Sequence, residues 1–95
     1  MRGGIGIVPV SGGAVRYLAT SGSDPHWSPD GQTLVYRSTN LNTVREPLAW
    51  DSTLWLVGID GSAPRQITRE GSLPGGHNFP RWLPDGRAVI FAEST

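Results

Sequence analysis

The chain has 95 residues, and its eight Lys and Arg balance its eight Asp and Glu, so it forms one domain at most and carries no net charge. A chain without net charge lacks the positive electrostatic potential that attracts nucleic acid or anionic lipid. The lack of cysteine excludes disulfides and thiolate metal sites. No apolar run reaches the ~18 residues of a membrane span or forms a signal segment. We therefore expect a soluble chain without nucleic-acid or membrane partners, in a compartment that the sequence does not name.

Thirteen glycines and eight prolines are too many for helices and favour short strands joined by tight turns. The first hairpin is predicted from residues 5–10, a turn at 11–13, and a returning strand at 15–18. Pro9 donates no ladder hydrogen bond, so the first strand should be short or bulged there.

One motif occurs twice, at residues 24–31 and again at 79–86. In each copy a Pro-x-Trp lies two residues before a Pro-Asp-Gly turn signal, and a run rich in β-branched and aromatic residues follows, at 33–38 and 88–93. Each copy predicts one hairpin. The motif residues are Pro25, Trp27, Pro29, Asp30 and Gly31 in the first copy, and Pro80, Trp82, Pro84, Asp85 and Gly86 in the second.

A second pair of strands, at 54–59 and 64–68, repeats the first hairpin at an offset of 49 residues, while the two motif tryptophans lie 55 residues apart. Two longer loops are predicted at 40–53 and 69–78. The single segment 1–95 therefore divides into repeat 1 (about 5–39), the loop 40–53, and repeat 2 (about 54–95).

A period near 50 residues with four short strands per unit favours a β-propeller over a sandwich. Residues 25–31 and 34–36, followed by 54–61 and 64–68, resemble the TolB-type (PD40) propeller repeat, a WD40-like repeat. The second copy departs from that pattern with Leu83 where the first has Ser28. The resemblance implies an all-β fold built of propeller blades.

The phase of the repeat predicts how chains combine. With blade strands named A to D from the axis outward, the chain reads C-D, A-B-C-D, A-B, which is two four-stranded blade equivalents. Two blades cannot close a ring, since propellers need about four to eight, and they would leave Val35, Tyr36, Trp55 or Phe91 exposed. We expect either a fragment or one protomer of a head-to-tail ring. Three chains would give six blades, the number that the resemblance implies, and four would give eight.

Strand direction places the tight turns on one face of the blades and both long loops on the opposite face. Long loops on a rigid scaffold are where binding is usually found. Trp50 lies in a polar loop, where it either packs the loop down or anchors a partner. The predicted contact surface on the long-loop face comprises Arg45, Glu46, Trp50, Asp51, His77 and Asn78.

Catalytic and metal chemistry find little support in the sequence. Trp27, Trp82 and Trp55 are predicted as core rather than as stacking platforms, and Asp30 and Asp85 as caps of their own turns. His26, Ser28 and Asp30 contain the residue types of a triad, but no Gly-x-Ser-x-Gly surrounds the serine. His26 and His77 are too far apart in sequence for a compact metal cluster, and we predict no metal or cofactor.

These patterns favour a non-enzymatic propeller scaffold that assembles head to tail and binds a protein or peptide. The alternative is the propeller part of an enzyme, which would either gate a peptidase domain, as in prolyl-oligopeptidase-like proteins, or act as a lyase or hydrolase at the channel mouth. A third reading is an engineered or excised assembly unit with no ligand.

Overall fold

The computed structural model describes residues 4–39, 52–68 and 76–93. These residues form an all-β structure that contains no helix, and so no helix that could cross a membrane. The strands are β1 (Ile5–Ile7), β2 (Arg16–Ala19), β3 (Ser23–Trp27), β4 (Thr33–Thr39), β5 (Ser52–Gly58), β6 (Arg65–Gln66), β7 (His77–Trp82) and β8 (Val89–Glu93).

The strands form three antiparallel sheets in chain order, namely β1-β2, β3-β4-β5-β6 and β7-β8. This grouping of two, four and two strands follows the predicted strand order. Several predicted ends are wrong: β1 stops at Ile7, before Pro9, β6 spans only Arg65–Gln66, and β5 and β7 begin inside the predicted long loops. Ser52 already begins β5 and His77 already begins β7, because each pairs in a ladder that the local polar composition does not reveal.

The repeated sequence gives a repeated pairing. Trp27 lies opposite Leu34 in the first motif hairpin, and Trp82 lies opposite Val89 in the second. Both hairpins have an irregularity at the same place, between Ser23 and His26 and between Asn78 and Arg81. Asp24 and Phe79, which lie within these irregularities, share a φ of 55°. The bulge is therefore a property of the motif, and it turns the start of each strand in the same way.

The other hairpins also match. Gly6 pairs with Tyr17 in β1-β2, and Trp55 pairs with Gln66 in β5-β6, each at the positions related by 49 residues. Every strand pairing of the first repeat is thus reproduced in the second where both copies are described.

The four-stranded sheet lies between the two smaller sheets. On one face, Leu34, Tyr36 and Val57 join residues of β1 and β2 in one apolar cluster. On the other face β7 lies against β3, β4 and β5, where Val35 and Leu54 are completely buried. Each fully buried aliphatic side chain contributes about 1.5–3 kcal/mol relative to its exposed state.

This arrangement corrects part of the expected exposure. Val35 and Tyr36 are buried, and Trp55 is partly buried, because a small sheet covers each face of the central one. Burial raises the pKa of the Tyr36 phenol above its usual value. Phe91, for which the chain supplies less cover, is 39% exposed.

The two Pro-Asp-Gly turns lie side by side, since a Cβ built on Gly86 would stand 3.8 Å from Cδ of Pro29. Asp30 Oδ1 accepts the backbone N–H of Gln32 at 3.0 Å, and Asp85 Oδ1 accepts that of Arg87 at 3.0 Å. Both carboxylates therefore cap their own turns, in the role that Asp before Gly predicts.

Candidate functional site

Four members of the predicted contact surface, Arg45, Glu46, Trp50 and Asp51, lie outside the described residues. The other two, His77 and Asn78, are the first residues of β7 and do not belong to a loop. His77 is only 5% exposed, so its ring is held inside the chain. The structure brings these two residues together with partners that the sequence did not single out.

His77 lies at the centre of a chain of polar contacts. Its Nδ1 stands 2.8 Å from Thr68 Oγ1, and its Nε2 stands 3.3 Å from a carboxylate oxygen of Glu93. The ring also packs against Phe91, with the ring centroids 4.6 Å apart. Its backbone carbonyl accepts the hydroxyl of Ser52 at 2.9 Å. The imidazole thus ties β7 to β8 and to Thr68, which lies just beyond β6, and the backbone carbonyl of His77 ties β7 to β5.

A carboxylate, an imidazole and a hydroxyl in sequence also occur in nucleophilic sites, but here the imidazole is buried and the hydroxyl oxygen also accepts a backbone hydrogen bond. Thr68 Oγ1 already accepts the backbone N–H of Leu54 at 2.8 Å, so its proton is free to face His77 Nδ1. In that arrangement Nε2 carries the ring proton and donates toward Glu93. With the imidazole buried, the contacts act as a structural tie between strands. Thr68 and Glu93 share no sequence signal with His77, because only the fold brings them together.

A second polar cluster surrounds Arg37 on β4. Its Nε donates to Ser23 Oγ at 3.0 Å and forms an ion pair with Asp24, 2.8 Å from Oδ2, while its Nη1 donates to Asn78 Oδ1 at 2.9 Å. One guanidinium therefore links β3, β4 and β7. The side chains of Arg37 and Asp24 are about one third exposed, at 33% and 37%, so they present fixed charge to solvent.

The sequence contains a signal for this cluster that the repeat comparison could have found. The second copy has Ala92 at the position of Arg37 and Phe79 at the position of Asp24. An ion pair present in one copy alone is not needed to build the hairpin. Comparison of the two copies therefore separates what the fold requires from what this particular sheet adds.

The triad residue types near the first motif do not form a triad. Ser28 is buried, donates its hydroxyl to Asp30 Oδ1 at 2.6 Å, and accepts the backbone N–H of Thr33 at 3.1 Å. The hydrogen bond from the Ser28 hydroxyl, and after it the one from the Gln32 backbone, hold the pKa of Asp30 below its usual range. His26 Nδ1 instead accepts the backbone N–H of Trp82. The serine therefore lacks a histidine base and serves the turn.

The two motif tryptophans differ in exposure. Trp82 is partly buried and donates its indole N–H to the carbonyl of His26 at 3.1 Å. Trp27 is 41% exposed, contrary to its prediction as core, because the preceding sheet has only the two strands β1 and β2. Trp55 packs against the apolar cluster and donates its indole N–H to Thr53 Oγ1 at 3.0 Å.

An open apolar groove of about 260 Å³ runs between β5-β6 and β8. Its walls include Leu54, Leu56 and Ile67 on one side and Trp82, Val89 and Phe91 on the other. Within the described ranges no group of three His, Asp or Glu side chains is placed to hold a metal ion.

Comparison with known proteins gives two partial matches, and no family model matches the chain. It is 31% identical over 72 residues to the "Uncharacterized peptidase YuxL" of Bacillus subtilis (strain 168), which is 76% of this chain and 9% of that protein. It is 28% identical over 68 residues to dipeptidyl-peptidase 5 of Porphyromonas gingivalis, which is 72% of this chain and 10% of that protein. The chain thus spans about a tenth of the length of the curated relatives it matches. Over most of its length it is similar to a short section of two proteins named as peptidases.

Proposed function

We propose that this chain is a propeller section of a larger peptidase, in which it shapes access to a catalytic site carried elsewhere. The similarity of about three quarters of the chain to two proteins named as peptidases carries this proposal. It favours the enzyme-associated alternative over the independent scaffold.

The sheet arrangement supports a propeller role. Three sheets succeed one another along the chain, the central one has four strands, and its neighbours pack on its two faces. The same strand registers recur in both repeats. A propeller blade is a four-stranded antiparallel sheet that packs face to face on the next, and about four to eight of them close a ring. In that reading the central sheet is one blade and the flanking hairpins belong to its neighbours.

The polar contacts of the described residues are consistent with a non-catalytic role in the enzyme. Ser28 serves a turn, and His26 and His77 are both occupied by hydrogen bonds of the fold. The Arg37 cluster lies at the end of β4, directly before the segment with Arg45, Glu46, Trp50 and Asp51. We propose that a peptide substrate contacts that segment and the charged side chains of Arg37 and Asp24.

The test is to express the complete reading frame that contains this chain and to assay it with chromogenic dipeptide substrates, with the 95-residue chain alone as the control. The complete polypeptide is expected to release the chromophore, and the control is expected to be inactive. Within the active polypeptide, Arg37→Ala should raise KM for longer peptides while leaving kcat for a dipeptide substrate unchanged. A complete polypeptide without peptidase activity would overturn the proposal.

A self-assembling scaffold is the second candidate, and the exposure of Trp27 favours it. Trp82 packs against the preceding sheet, whereas its repeat equivalent, Trp27, is exposed. The surface at Trp27 is therefore open for another chain to dock on.

A further inference from the structure

Among the edge strands of the three described sheets, β8 and β1 are unpaired where their repeat equivalents, β4 and β5, pair with each other. β8 pairs only with β7, and β1 pairs only with β2. Both lie next to exposed apolar side chains: Ile90 is 60% exposed on β8, and Tyr17 is 70% exposed on β2. Unpaired edges beside exposed apolar surface are templates for adding a strand.

The chain itself contains the pairing that these edges lack. β4 pairs antiparallel with β5 over seven residue pairs, including Leu34 with Val57, Val35 with Leu56 and Tyr36 with Trp55. In the repeat, β8 is the equivalent of β4 and β1 is the equivalent of β5. Within one chain the β1-β2 hairpin packs on the opposite face of the central sheet, so it cannot pair with β8 of its own chain, whereas the hairpin of a second copy can.

We propose that the β1-β2 hairpin of a second copy adds to the free edge of β8 and closes the groove between β5-β6 and β8. Transfer of the internal register places Val8 opposite Val89, Ile7 opposite Ile90 and Gly6 opposite Phe91. The contact continues an interface that each chain already makes within itself. It rests on the second candidate function, the self-assembling scaffold, and not on the peptidase role.

The faces of the hairpin fit this placement. Ile5 and Ile7 face the apolar cluster of their own chain, whereas a Cβ on Gly6 would meet the side chains of Val15 and Tyr17. Gly6, Val15 and Tyr17 therefore share the outer face of the hairpin. Residues directly opposite in a ladder lie on the same face of the sheet. The outer face of the added hairpin would therefore continue the face of Phe91 and Val89, which lines the groove opposite Leu54 and Leu56. Val15 and Tyr17, now exposed, would fill the groove.

A second contact follows from the same docking without further assumptions. Within one chain, Trp82 packs on His26 and donates its indole N–H to the His26 carbonyl. The repeat equivalent of His26 is Arg81, and that of Trp82 is Trp27. The second copy would therefore donate from its Trp27 indole to the Arg81 carbonyl of the first. Two exposed features at opposite ends of the chain, Trp27 and the β8 edge, are covered by one interface.

The interface is head to tail, so it leaves a free β8 edge on one end and a free hairpin on the other until a ring closes. The first test measures mass by light scattering across a concentration series. The expected mass is a multiple of the 10.2 kDa of one chain, three or four copies closing six or eight blades. A particle of 10.2 kDa at every concentration would overturn the proposal.

Tyr17→Glu places a charge in the proposed groove contact and should shift the mass to that of one chain. Because Tyr17 is 70% exposed, the fold of the single chain should survive, which circular dichroism checks. Ala63→Glu adds the same charge to the exposed β5-β6 turn and serves as the matched control, with no change in mass expected. Equal masses for the two variants would contradict the groove contact.

The second test reads the register even if Tyr17→Glu does not fold. The chain has no cysteine, so Ile7→Cys and Ile90→Cys can be made as single variants and mixed under mild oxidation. Opposed residues of an antiparallel ladder have Cα atoms about 4.5–5.5 Å apart, within disulfide reach. A disulfide joining Ile7→Cys to Ile90→Cys supports the proposal. Disulfides formed only between identical variants, or none in a mixture, would overturn it.

Discussion

Trp82 makes two hydrogen bonds to His26, one from its indole N–H to the His26 carbonyl and one from its backbone N–H to His26 Nδ1, both at 3.1 Å. They join strand β7 to strand β3, two strands that begin the two copies of the same hairpin. The imidazole acts there as an acceptor for a neighbouring backbone. A residue that resembles part of a triad in the sequence is therefore a connector between sheets.

His26→Ala is expected to lower the free energy of unfolding by about 1 kcal/mol, because the Trp82 backbone N–H loses its partner and water can replace only part of that hydrogen bond at this partly buried position. Arg81→Ala, at the equivalent position of the second copy, should stay within about 0.5 kcal/mol. Urea unfolding followed by circular dichroism measures both variants. Equal losses would show that the His26 ring does not matter for this junction.

Thr68→Val removes the hydroxyl that accepts from the Leu54 backbone and faces His77 Nδ1, both at 2.8 Å. Two polar groups lose their partner beside buried side chains, so we expect a loss of about 1–3 kcal/mol in the free energy of unfolding. Thr68→Ser keeps the hydroxyl and should retain most of the stability. If the valine and serine variants unfold at the same urea concentration, the tie through His77 is not a stabilising contact.

The repetition of the sequence was enough to predict the pairing of the strands. Equal spacing of turns and tryptophans transfers a ladder from one copy to the next, because strand register follows the pattern of turns and apolar residues. Exposure could not be predicted in the same way. Trp27 and Trp82 belong to the same motif, but their surroundings differ. Trp82 lies beside His26 of the preceding sheet, whereas the sheet that precedes Trp27 has no described strand of this kind. The environment of a repeat depends on its neighbours, which the motif does not encode.

The partners of His77 were missed for a related reason. Thr68 lies just beyond β6 and Glu93 lies on β8, and their contacts with His77 depend on how β7 packs on β5 and pairs with β8. Likewise, Asp24 and Asn78 reach Arg37 only because β3 and β7 pack beside β4. Local patterns predict strands and turns, whereas these polar clusters are products of tertiary packing.

Arg37→Lys tests whether the guanidinium joins three strands. Arginine reaches Ser23 and Asp24 through Nε and Asn78 through Nη1, and lysine has no planar guanidinium with two such nitrogens. Because the ion pair is about one third exposed, the expected loss in unfolding free energy is only about 0.5–1 kcal/mol, reduced further at high salt. Arg65→Lys, at an exposed position of β6, is the control and should be neutral. An unchanged midpoint for Arg37→Lys at low salt would contradict the cluster.

The turn of the first motif should lose stability in acid. The Ser28 hydroxyl and then the Gln32 backbone N–H lower the pKa of Asp30 in the folded chain. A lowered folded pKa means that the contribution is present above the ordinary carboxyl value near 3.8 and is lost as pH falls through the folded value. Ser28→Ala should raise the Asp30 titration midpoint in carboxyl NMR. Asp60, whose pKa is lowered chiefly by the Ser62 backbone, should keep its midpoint and serves as the internal reference.

Gly22 is held between the second and third strands by both its backbone angle and its neighbours. Its φ is 130°, and a Cβ would stand 2.5 Å from Cδ2 of the buried Tyr36. Gly22→Ala therefore combines backbone strain with a clash against the apolar cluster, and we expect a loss of about 2–4 kcal/mol in unfolding free energy.

Gly12→Ala is the matched comparison, since Gly12 also has a positive φ, 91°, but no atom lies within 4 Å of its Cβ position. Only the backbone strain remains there, so the expected loss is about 1 kcal/mol. The difference between the two variants measures the close approach of the chain to the Tyr36 ring. Gly22→Ala should cost less unfolding free energy in a Tyr36→Leu chain than in the natural chain, because the shorter side chain leaves room for the added methyl group. If it costs the same in both chains, the cost at Gly22 comes from the backbone alone.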